Sequence, residues 1–555
     1  MLLPQLPQQT YKKLKKQAVN LSKMLPANLS PLKPEAAKAS KPAVATERVL
    51  TDYEVLIIGA GVSGVDMACH LQQRYETRSA SPKTNLPGKR FLIVDKRGDI
   101  GGTWDLFKYP GIRSDSDMFT FGFAHRPWLS KKTLTDGESI KAYIKQTAHD
   151  EQIDSAIRFH TEVTQLTWSS KNKYWSATLY NCQTKQSQTV TARFVIGATG
   201  YYDFEEGYQP HFAGQEDFAG QLIHPQQWPE NLDYHDKKVV VIGSGATAVT
   251  LVPALVDPQA DKRAAHVTML QRSPTYIASV PSVDDGVRVL TQYLPLNTQQ
   301  AYTLMRWKNV LTQQAIYQFS KHAPSTMKTI LTNKAKQDLK GSGVALSHFT
   351  PDYNPWDERL CAVPDGDLFQ ALHGERAEII TDEIVRLTPT GIELKSGKQL
   401  EADIIVTATG LKLQMLGGAQ VTIDKQSVPV SERMTYKAVL VEDVPNMAVL
   451  FGYTNASWTL KIDLACAYVL RLLQYMDEHG YQTVVPQSHL ETGEQVVRQE
   501  DTVMGSLSAG YIQRAKDVLP KQGDRYPWKV TNNYLTDRVM LKYSPIDDDW
   551  LKFSN

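Results

Sequence analysis

Two glycine-rich segments carry the clearest chemistry in this sequence, and each directly follows a short apolar stretch. The first reads Gly59, Ala, Gly61, Val, Ser63 and Gly64 after the predicted strand 53–58. In a strand, turn and helix, the first glycine makes the tight turn, the second lets backbone amides approach a pyrophosphate, and the third allows close helix packing. The segment therefore predicts a dinucleotide site, although an isolated pattern of this kind can be purely structural.

A carboxylate after the next predicted strand strengthens this prediction. The strand 91–94 ends in Asp95, which can accept hydrogen bonds from a ribose. Its separation from the glycines exceeds the usual spacing of about 20 residues. Residues 79–87 read as the inserted loop that accounts for the difference.

The second segment predicts another dinucleotide site. After the apolar strand 237–242 the chain reads Gly243, Ser244, Gly245, Ala246, Thr247 and Ala248. The next strand, 267–270, ends without an acid and continues into Gln271, Arg272 and Ser273. A cation and a hydroxyl at this place suit a ribose 2′-phosphate, which an acid would repel. The pattern favours NADPH over NADH; the alternative is that Arg272 is an ordinary surface residue.

A repeated phrase indicates how these sites are arranged in the chain. Each glycine segment is followed by a β-rich stretch that ends in Ala-Thr-Gly, at 198–200 and at 408–410. We expect an α/β fold with two Rossmann-like dinucleotide-binding domains. The FAD domain would comprise residues 51–204 and 405–555, the latter with a C-terminal extension, and the NADPH domain would be inserted at 205–404.

Within the inserted domain, the apolar period changes over residues 285–345. The spacing there predicts helices that form a small subdomain over the route to the substrate, with ordinary core packing as the alternative. The apolar positions on these predicted helical faces are Val289, Tyr293, Leu304, Trp307, Leu311 and Ile316.

Length and composition exclude several classes of protein. The 555 residues leave room for several domains, and 42% hydrophobic with 22% charged residues excludes a mainly disordered chain. No apolar run is long enough for a membrane-spanning helix. The four cysteines form no C-x-x-C pair, so we expect no disulfide framework, no metal site and no dithiol redox centre. A reducing, cytoplasmic location is the simpler expectation.

Residues 1–50 differ from the rest of the chain in charge. They hold eight lysines and one arginine against two glutamates, a net charge of +7, whereas the remaining residues sum to −5. Residues 8–25 have the pattern of a basic amphipathic helix, followed by a proline-rich tether. We expect peripheral contact with the inner face of a membrane, or else a solubilising tail or a mispredicted start. The acidic body argues against nucleic acid as a partner.

Two longer motifs narrow the chemistry. Residues 101–115 read GGTWDLFKYPGIRSD, and residues 218–229 read FAGQLIHPQQWP. Both resemble fingerprints of the class B flavoprotein monooxygenases, especially the Baeyer–Villiger monooxygenases. Phrases such as GYTNASW at 452–458 most resemble the branch of long-chain alkane monooxygenases and thioamide-activating monooxygenases. The resemblance runs from about residue 53 to residue 553.

The resemblance implies FAD, NADPH as reductant, and O2. In this family reduced FAD forms a C4a-peroxyflavin, which an arginine beside the flavin stabilises; the matching residue here is Arg359. Asp115 matches the carboxylate that pairs with this arginine at the cofactor. By the same resemblance, Thr103 and Trp104 would lie along the flavin, and Val163 would meet the adenine through its backbone.

Three further residues have roles implied by the resemblance. His224 of the second fingerprint would be structural or conformational, because in relatives it lies in the connection between domains. A helix that begins near Ser457 could direct its positive end at the flavin. Many relatives have lysine just before the catalytic arginine, in contact with the 2′-phosphate, whereas this chain has Glu358, so we expect only a modest preference for NADPH.

The sequence favours an FAD- and NADPH-dependent monooxygenase that inserts one oxygen atom from O2 into a hydrophobic small molecule. The expected reactions are Baeyer–Villiger oxidation of ketones, sulfoxidation, or both. One alternative is hydroxylation of long-chain n-alkanes, a harder target for this oxidant. Another is an uncoupled NADPH oxidase or flavin reductase, and a third is a tethered FAD-binding protein without turnover. The substrate and the oligomeric state stay open.

Overall fold

The computed structural model describes residues 49–79, 89–358, 360–505 and 510–555, without the side chains of residues 76–79 and 89. The predicted amphipathic helix 8–25, its tether, most of the loop 79–87 and the predicted catalytic Arg359 lie outside the described residues. Among the described helices, none combines the length and the apolar composition needed to cross a bilayer.

The first unit is built around the strand that precedes the first glycine segment. This strand, β1, is almost wholly buried because it pairs in parallel with β2 on one side and β6 on the other. Helices and a β-layer cover the two faces of the sheet. The elements are β1 (Tyr53–Ile58), α1 (Val62–Ser79), β2 (Lys89–Val94), α2 (Thr103–Leu106), α3 (Met118–Phe121), α4 (Gly137–Asp150), β3 (Ile157–Arg158), β4 (Thr161–Ser169), β5 (Tyr174–Asn181) and β6 (Ser187–Gly197).

The second unit repeats this plan with a five-stranded parallel sheet in the order β13-β10-β9-β17-β8. Its strands follow the connecting strand β7 (Tyr202–Gly207). The elements are β8 (Gln221–Ile223), β9 (Lys238–Ile242), α5 (Ala246–Leu255), β10 (His266–Gln271), β11 (Ile277–Val280), α6 (Gly286–Tyr293), α7 (Thr298–His322), α8 (Pro324–Asp338), β12 (Cys361–Pro364), α9 (Asp367–His373), β13 (Ala377–Thr381), β14 (Ile384–Thr388), β15 (Gly391–Leu394), β16 (Gln399–Glu401) and β17 (Ile404–Thr407).

The chain then returns to the first unit. A long buried helix, α10, packs against α1 and α12, and three short strands extend the first sheet beyond β6. The elements are β18 (Leu411–Leu413), β19 (Gln420–Ile423), β20 (Gln426–Ser427), β21 (Thr435–Tyr436), β22 (Leu440–Val441), β23 (Met447–Val449), α10 (Trp458–His479), β24 (Thr483–Pro486), β25 (Arg498–Thr502), α11 (Gly510–Arg514), β26 (Lys521–Gly523), α12 (Tyr534–Lys542) and β27 (Leu551–Ser554).

The two connections between the units lie side by side. β7 leaves the first unit and β18 returns to it, and these strands pair as an antiparallel ribbon. The predicted fold class, α/β with two Rossmann-like units, is confirmed. The predicted boundary at 404/405 is wrong by a few residues, because β17 (Ile404–Thr407) pairs with β8 and β9 inside the second sheet. An apolar strand of this kind is stabilised most as a central strand of a parallel sheet, where its apolar side chains are buried on both faces.

The predicted helices of the insertion are present as α6, α7 and α8, but they are not buried as ordinary core packing would require. Val289, Tyr293, Leu304, Leu311 and Ile316 are between 43% and 63% exposed. The inward face of α7 consists instead of Ala301, Tyr302, Met305, Arg306 and Val310. The apolar positions therefore identified the helices correctly but not the face that packs.

Candidate dinucleotide sites

The first glycine turn is shaped by close backbone approaches. Gly59 has a φ of 108°, and a Cβ added to it would lie 2.6 Å from the Ala198 carbonyl oxygen. A Cβ on Gly64 would lie 1.9 Å from the Gly59 carbonyl oxygen. At Gly61 the nearest atom is the Cα of Gly102, 3.5 Å from the added Cβ, so two glycines face each other across the mouth of the turn. This bare backbone cradle at the start of α1 fits a pyrophosphate.

Asp95 lies where the sequence predicts it, at the end of β2 beside the turn. Its Oδ2 accepts a hydrogen bond of 2.7 Å from the Ala60 N–H, and its Oδ1 accepts one of 2.8 Å from the Arg97 N–H. Burial raises the pKa of Asp95, and these two backbone bonds oppose that effect. Each carboxylate oxygen has two lone-pair directions, so the side chain can hold the turn and still accept from a ribose.

The N-terminus of α10 meets the same turn. The indole N–H of Trp458 donates to the hydroxyl of Ser63 at 3.0 Å, and the Trp458 ring lies 5.2 Å from that of Tyr201. Ser457 is buried, and its hydroxyl is 2.6 Å from that of Thr120. Ser63 is thus occupied by a side chain from the far end of the sequence. The first turn of α10 therefore contacts the first glycine turn, and the expectation that this helix directs its positive end at a flavin stays a prediction.

The first fingerprint, residues 101–115, joins the two units. Burial raises the pKa of the Tyr109 hydroxyl to about 12, and Thr247 of the second glycine segment opposes this effect. A Cβ on Gly111 would lie 2.7 Å from the Cβ of Ala254 on α5. One end of the fingerprint therefore borders the first glycine turn and the other end packs on the helix of the second.

The second glycine turn has the same backbone design. Gly243 has a φ of 144°, and an added Cβ would lie 2.4 Å from the Ala408 carbonyl oxygen. The Ala-Thr-Gly phrase recurs because its alanine closes against the first glycine of each turn. A Cβ on Gly245 would meet nothing within 4 Å, which leaves the space that a second pyrophosphate requires. Ser244 precedes the N-cap residue Gly245, and Ala246, Thr247 and Ala248 form the first turn of α5.

The residues predicted to read the 2′-phosphate follow β10. Arg272 and Ser273 are exposed, and the preceding Gln271 is buried, with its amide donating to the His348 carbonyl at 2.8 Å. Burial raises the pKa of Glu358, whereas the charge of Arg272 lowers it. The carboxylate therefore lies within electrostatic reach of the arginine that would bind the phosphate.

His224 lies between the two connections. Its Nδ1 accepts from the Gln226 N–H at 3.2 Å, so its Nε2 carries the proton that is donated to the Gly410 carbonyl at 3.0 Å. Burial lowers the pKa of His224. A Cβ on Gly207 would lie 1.9 Å from the ring. His224 therefore links the two connections, and its structural or conformational role stays a prediction.

The remaining predicted site residues belong to several elements of the first unit. Thr103 and Trp104 begin the short helix α2 directly after the Gly101-Gly102 pair. Val163 is buried in β4. Asp115 is exposed, and its predicted partner Arg359 lies outside the described residues, so their pairing stays a prediction.

The sequence analysis did not predict a cluster of buried ionisable side chains between the helices of the first unit. Asp66 on α1 and Asp463 on α10 flank His70, whose Nε2 is 3.9 Å and 3.4 Å from their carboxylates. Lys542 lies 3.3 Å from Asp463, and buried Arg306 adds a second cation. Burial raises the pKa of Asp66 to about 7. The spacing of four residues between Asp66 and His70 could have indicated that the two side chains are neighbours on one helix. Their other partners could not be inferred, because those residues are on helices far away in the sequence.

Comparison with known proteins finds one matching family model and several similar proteins. A family model described as pyridine nucleotide-disulphide oxidoreductase matches residues 89–350. The chain is 50% identical over 500 residues to the probable FAD-binding monooxygenase AlmA of Acinetobacter baylyi, covering 90% of this chain and 96% of that protein. It is 48% identical over 501 residues to the FAD-containing monooxygenase EthA of Mycobacterium tuberculosis, covering 90% and 97%.

The fold is similar to that of a solved structure with much lower identity. The crystal structure of OTEMO in complex with FAD and NADP matches with a TM-score of 0.68 at 18% identity, covering 92% of this chain and 100% of that one. The class of protein inferred from the fingerprints is confirmed by the curated relatives. With about half of its residues identical over nine-tenths of its length, the chain belongs to the family of FAD-containing monooxygenases.

Proposed function

We propose that the protein binds FAD at the first glycine turn and NADPH at the second, and inserts one oxygen atom from O2 into a hydrophobic small molecule. The proposed reactions are Baeyer–Villiger oxidation of ketones, sulfoxidation, or both. The proposed FAD domain comprises the first unit and the returning chain, and the NADPH domain is the second unit through β17.

One observation supports this proposal above the others. The fingerprint 101–115 borders the first turn through Gly102, and its Gly111 packs closely on α5, the helix that follows the second turn. A single segment thus contacts both units beside their proposed cofactor sites. Such a link suits an enzyme in which a nicotinamide must approach a flavin within a protected space.

Bound FAD would accept a hydride from NADPH and supply the reactivity toward O2. The chain would contribute Arg359, whose guanidinium stays charged and presents several fixed donors to a developing anion. Asp115 would pair with Arg359 and fix its direction. The N-terminus of α10, anchored by Trp458 on Ser63, would favour negative charge at the ring.

We propose NADPH rather than NADH as the better reductant, by a modest margin. Arg272 and Ser273 supply a cation and a hydroxyl for the 2′-phosphate. Glu358 opposes this preference because its carboxylate interacts electrostatically with Arg272 and would repel the phosphate. Because these two effects partly cancel, we expect measurable activity with NADH.

The test of this function is the fate of the electrons from NADPH. We expect a ketone or thioether substrate to yield oxygenated product in step with NADPH oxidation. Arg359→Ala should still reduce FAD with NADPH but should release hydrogen peroxide in place of product. If the wild-type protein converts all consumed NADPH to peroxide with every substrate, the protein is instead an uncoupled oxidase. Hydroxylated alkane as the product would favour the alternative function.

A further inference from the structure

Four polar and aromatic side chains of α7 contact two segments that border the proposed catalytic pair. Each of the four lies four residues from the next, and side chains at this spacing are neighbours on the surface of a helix. We call them the α7 stripe, and its members are Asn309, Gln313, Tyr317 and Lys321. The first two contact Asp117, and the last two contact Trp356 and Asp357.

The first contact is made at the N-cap of the short helix α3. The carboxylate of Asp117 caps this helix by accepting from two of its backbone N–H groups, at 3.0 and 3.2 Å. The same carboxylate accepts from the amide of Asn309 at 2.8 Å and from the amide of Gln313 at 2.7 Å. Asp117 lies two residues after Asp115. The stripe therefore holds the chain just beyond the proposed catalytic carboxylate.

The second contact is made where the chain approaches Arg359. The Nζ of Lys321 lies 3.0 Å from a carboxylate oxygen of Asp357 and 3.4 Å from the Trp356 carbonyl oxygen. The Tyr317 ring meets the Trp356 ring edge to face, with the centroids 5.6 Å apart. Trp356 has a φ of 71°, and a side chain of this size keeps such a left-handed conformation only where its surroundings hold it. Asp357 precedes Arg359 by two residues.

The two contacts are a fixed distance apart because they are made by one helix. Gln313 and Lys321 are eight residues apart, which is about 12 Å along the axis of α7. This helix is itself fixed to the first unit, since buried Arg306 donates to three backbone carbonyls of α3 and its C-cap. The stripe thus connects a segment of the first unit with the segment 356–358 of the second.

We propose that the α7 stripe sets the separation between Asp115 and Arg359, and that its four members are positioning residues. The inference rests on the proposed function, in which these two side chains meet at the flavin. Segments held by one helix would present the guanidinium to a developing anion in a single geometry. Segments released from α7 would still allow both cofactors to bind, but more of the NADPH consumed would reduce O2 to hydrogen peroxide.

The first test measures how the electrons of NADPH divide between oxygenated product and peroxide. Gln313→Leu should lower the product formed per NADPH at least about tenfold, because a small displacement of reacting groups is costly. Lys321→Met should lower it about threefold, since an exposed ion pair contributes little, and Lys321→Arg should restore it. The rate of FAD reduction by NADPH and the KM for NADPH should match the wild type in every variant.

Matched controls remove contacts of the same kind elsewhere. Thr312→Val removes a hydroxyl that donates to the Lys308 carbonyl within α7, and Lys334→Met removes an ion pair with Asp338 within α8. Both controls should keep the product yield of the wild type. If Gln313→Leu also keeps that yield, or if the controls lose as much as the stripe variants, the proposal is wrong.

Hydrogen exchange of the FAD-bound protein separates this inference from the proposed function, because it needs no turnover. We expect faster amide exchange in residues 117–121 of Gln313→Leu and in residues 354–358 of Lys321→Met, followed by mass spectrometry. Unchanged exchange in both variants would overturn the inference even where the wild type oxygenates its substrates. A wild type that yields only peroxide would overturn the proposed function, and the exchange result alone would then decide whether α7 holds the two segments.

Discussion

At the scale of single residues, the two glycine turns should be separable by mutation. In Gly61→Val the added side chain would fill the cradle opposite Gly102, so the purified protein should lose most of its FAD. In Gly245→Val the protein should keep its FAD while the KM for NADPH rises at least about tenfold. Each variant is the control for the other. Flavin absorbance and steady-state kinetics measure both, and a fully flavinated Gly61→Val protein would contradict the assignment.

Glu358 is expected to limit the preference for NADPH. Because its partly buried carboxylate faces the charge of Arg272, Glu358→Gln should raise kcat/KM for NADPH by about threefold and leave NADH almost unchanged. Glu375→Gln provides the control, since Glu375 is exposed near the opposite end of β13. If the ratio of kcat/KM for NADPH to kcat/KM for NADH is unchanged in the Glu358 variant, this residue does not determine the cofactor preference.

Asp66 should make stability depend on pH. Its pKa is raised by burial from 3.8 to about 7, so the folded protein binds this proton more tightly than the unfolded chain. The resulting stability is complete below about pH 4 and is lost as the pH rises through about 7. Asp66→Ala should therefore be more stable than the wild type at pH 8, by on the order of 2 kcal/mol, with little difference at pH 4.

The facing carboxylate provides the contrast for this prediction. Lys542 and His70 hold the pKa of Asp463 below its usual range, so the ionised form stabilises the fold. Asp463→Asn should destabilise the protein at pH 8, with a loss that diminishes as the pH falls. Unfolding followed by tryptophan fluorescence at several pH values checks both variants. The same sign of change for Asp66→Ala and Asp463→Asn at pH 8 would contradict the account.

The sequence was informative about residues whose role depends on neighbours in the chain. The glycines of both turns could be interpreted because strand, turn and helix are consecutive there. The hydrogen bond between Ser63 and Trp458 could not be inferred, since these residues are 395 positions apart. The close approach of Gly111 to Ala254 on α5 could not be inferred for the same reason, although Gly111 belongs to the first fingerprint.

At the scale of elements, the docking of α7 depends on one buried cation. Arg306 donates to the carbonyls of Phe119, Thr120 and Gly122 at 2.8, 3.1 and 2.6 Å. Arg306→Leu should leave these acceptors without that donor and cost on the order of 3 kcal/mol of the free energy of unfolding. Lys308→Gln, two residues away and exposed, should cost little. Denaturant titration compares the two, and equal losses would contradict the role of Arg306.

The elements also show where prediction from periodicity stops. Helices α6 to α8 could be predicted because their apolar spacing is regular, but α7 has apolar residues on two sides. Periodicity alone does not indicate which side of the helix packs against the protein. A charged residue is normally expected on the exposed side, but Arg306 is buried. Strand β17 was assigned to the wrong unit because its partners, β8 and β9, are about 165 or more residues earlier in the chain.

At the scale of the whole molecule, two dinucleotide folds are joined by the paired strands β7 and β18, with His224 between the connections. The fingerprint 101–115 is a second link, directly between the two proposed cofactor sites. The plan of one domain inserted in another could be predicted because the Ala-Thr-Gly phrase occurs at each crossing. The chemistry follows from this plan only if electrons from NADPH reach a flavin that reacts with O2.

Product analysis under isotopically labelled oxygen gas tests this central claim most directly. The purified protein would be supplied with NADPH and a panel of aliphatic ketones, a thioether and a long n-alkane, and the products identified by mass spectrometry. We predict one labelled oxygen atom in an ester or a sulfoxide. Labelled alcohol formed from the alkane alone, or peroxide without any labelled organic product, would contradict the proposed chemistry.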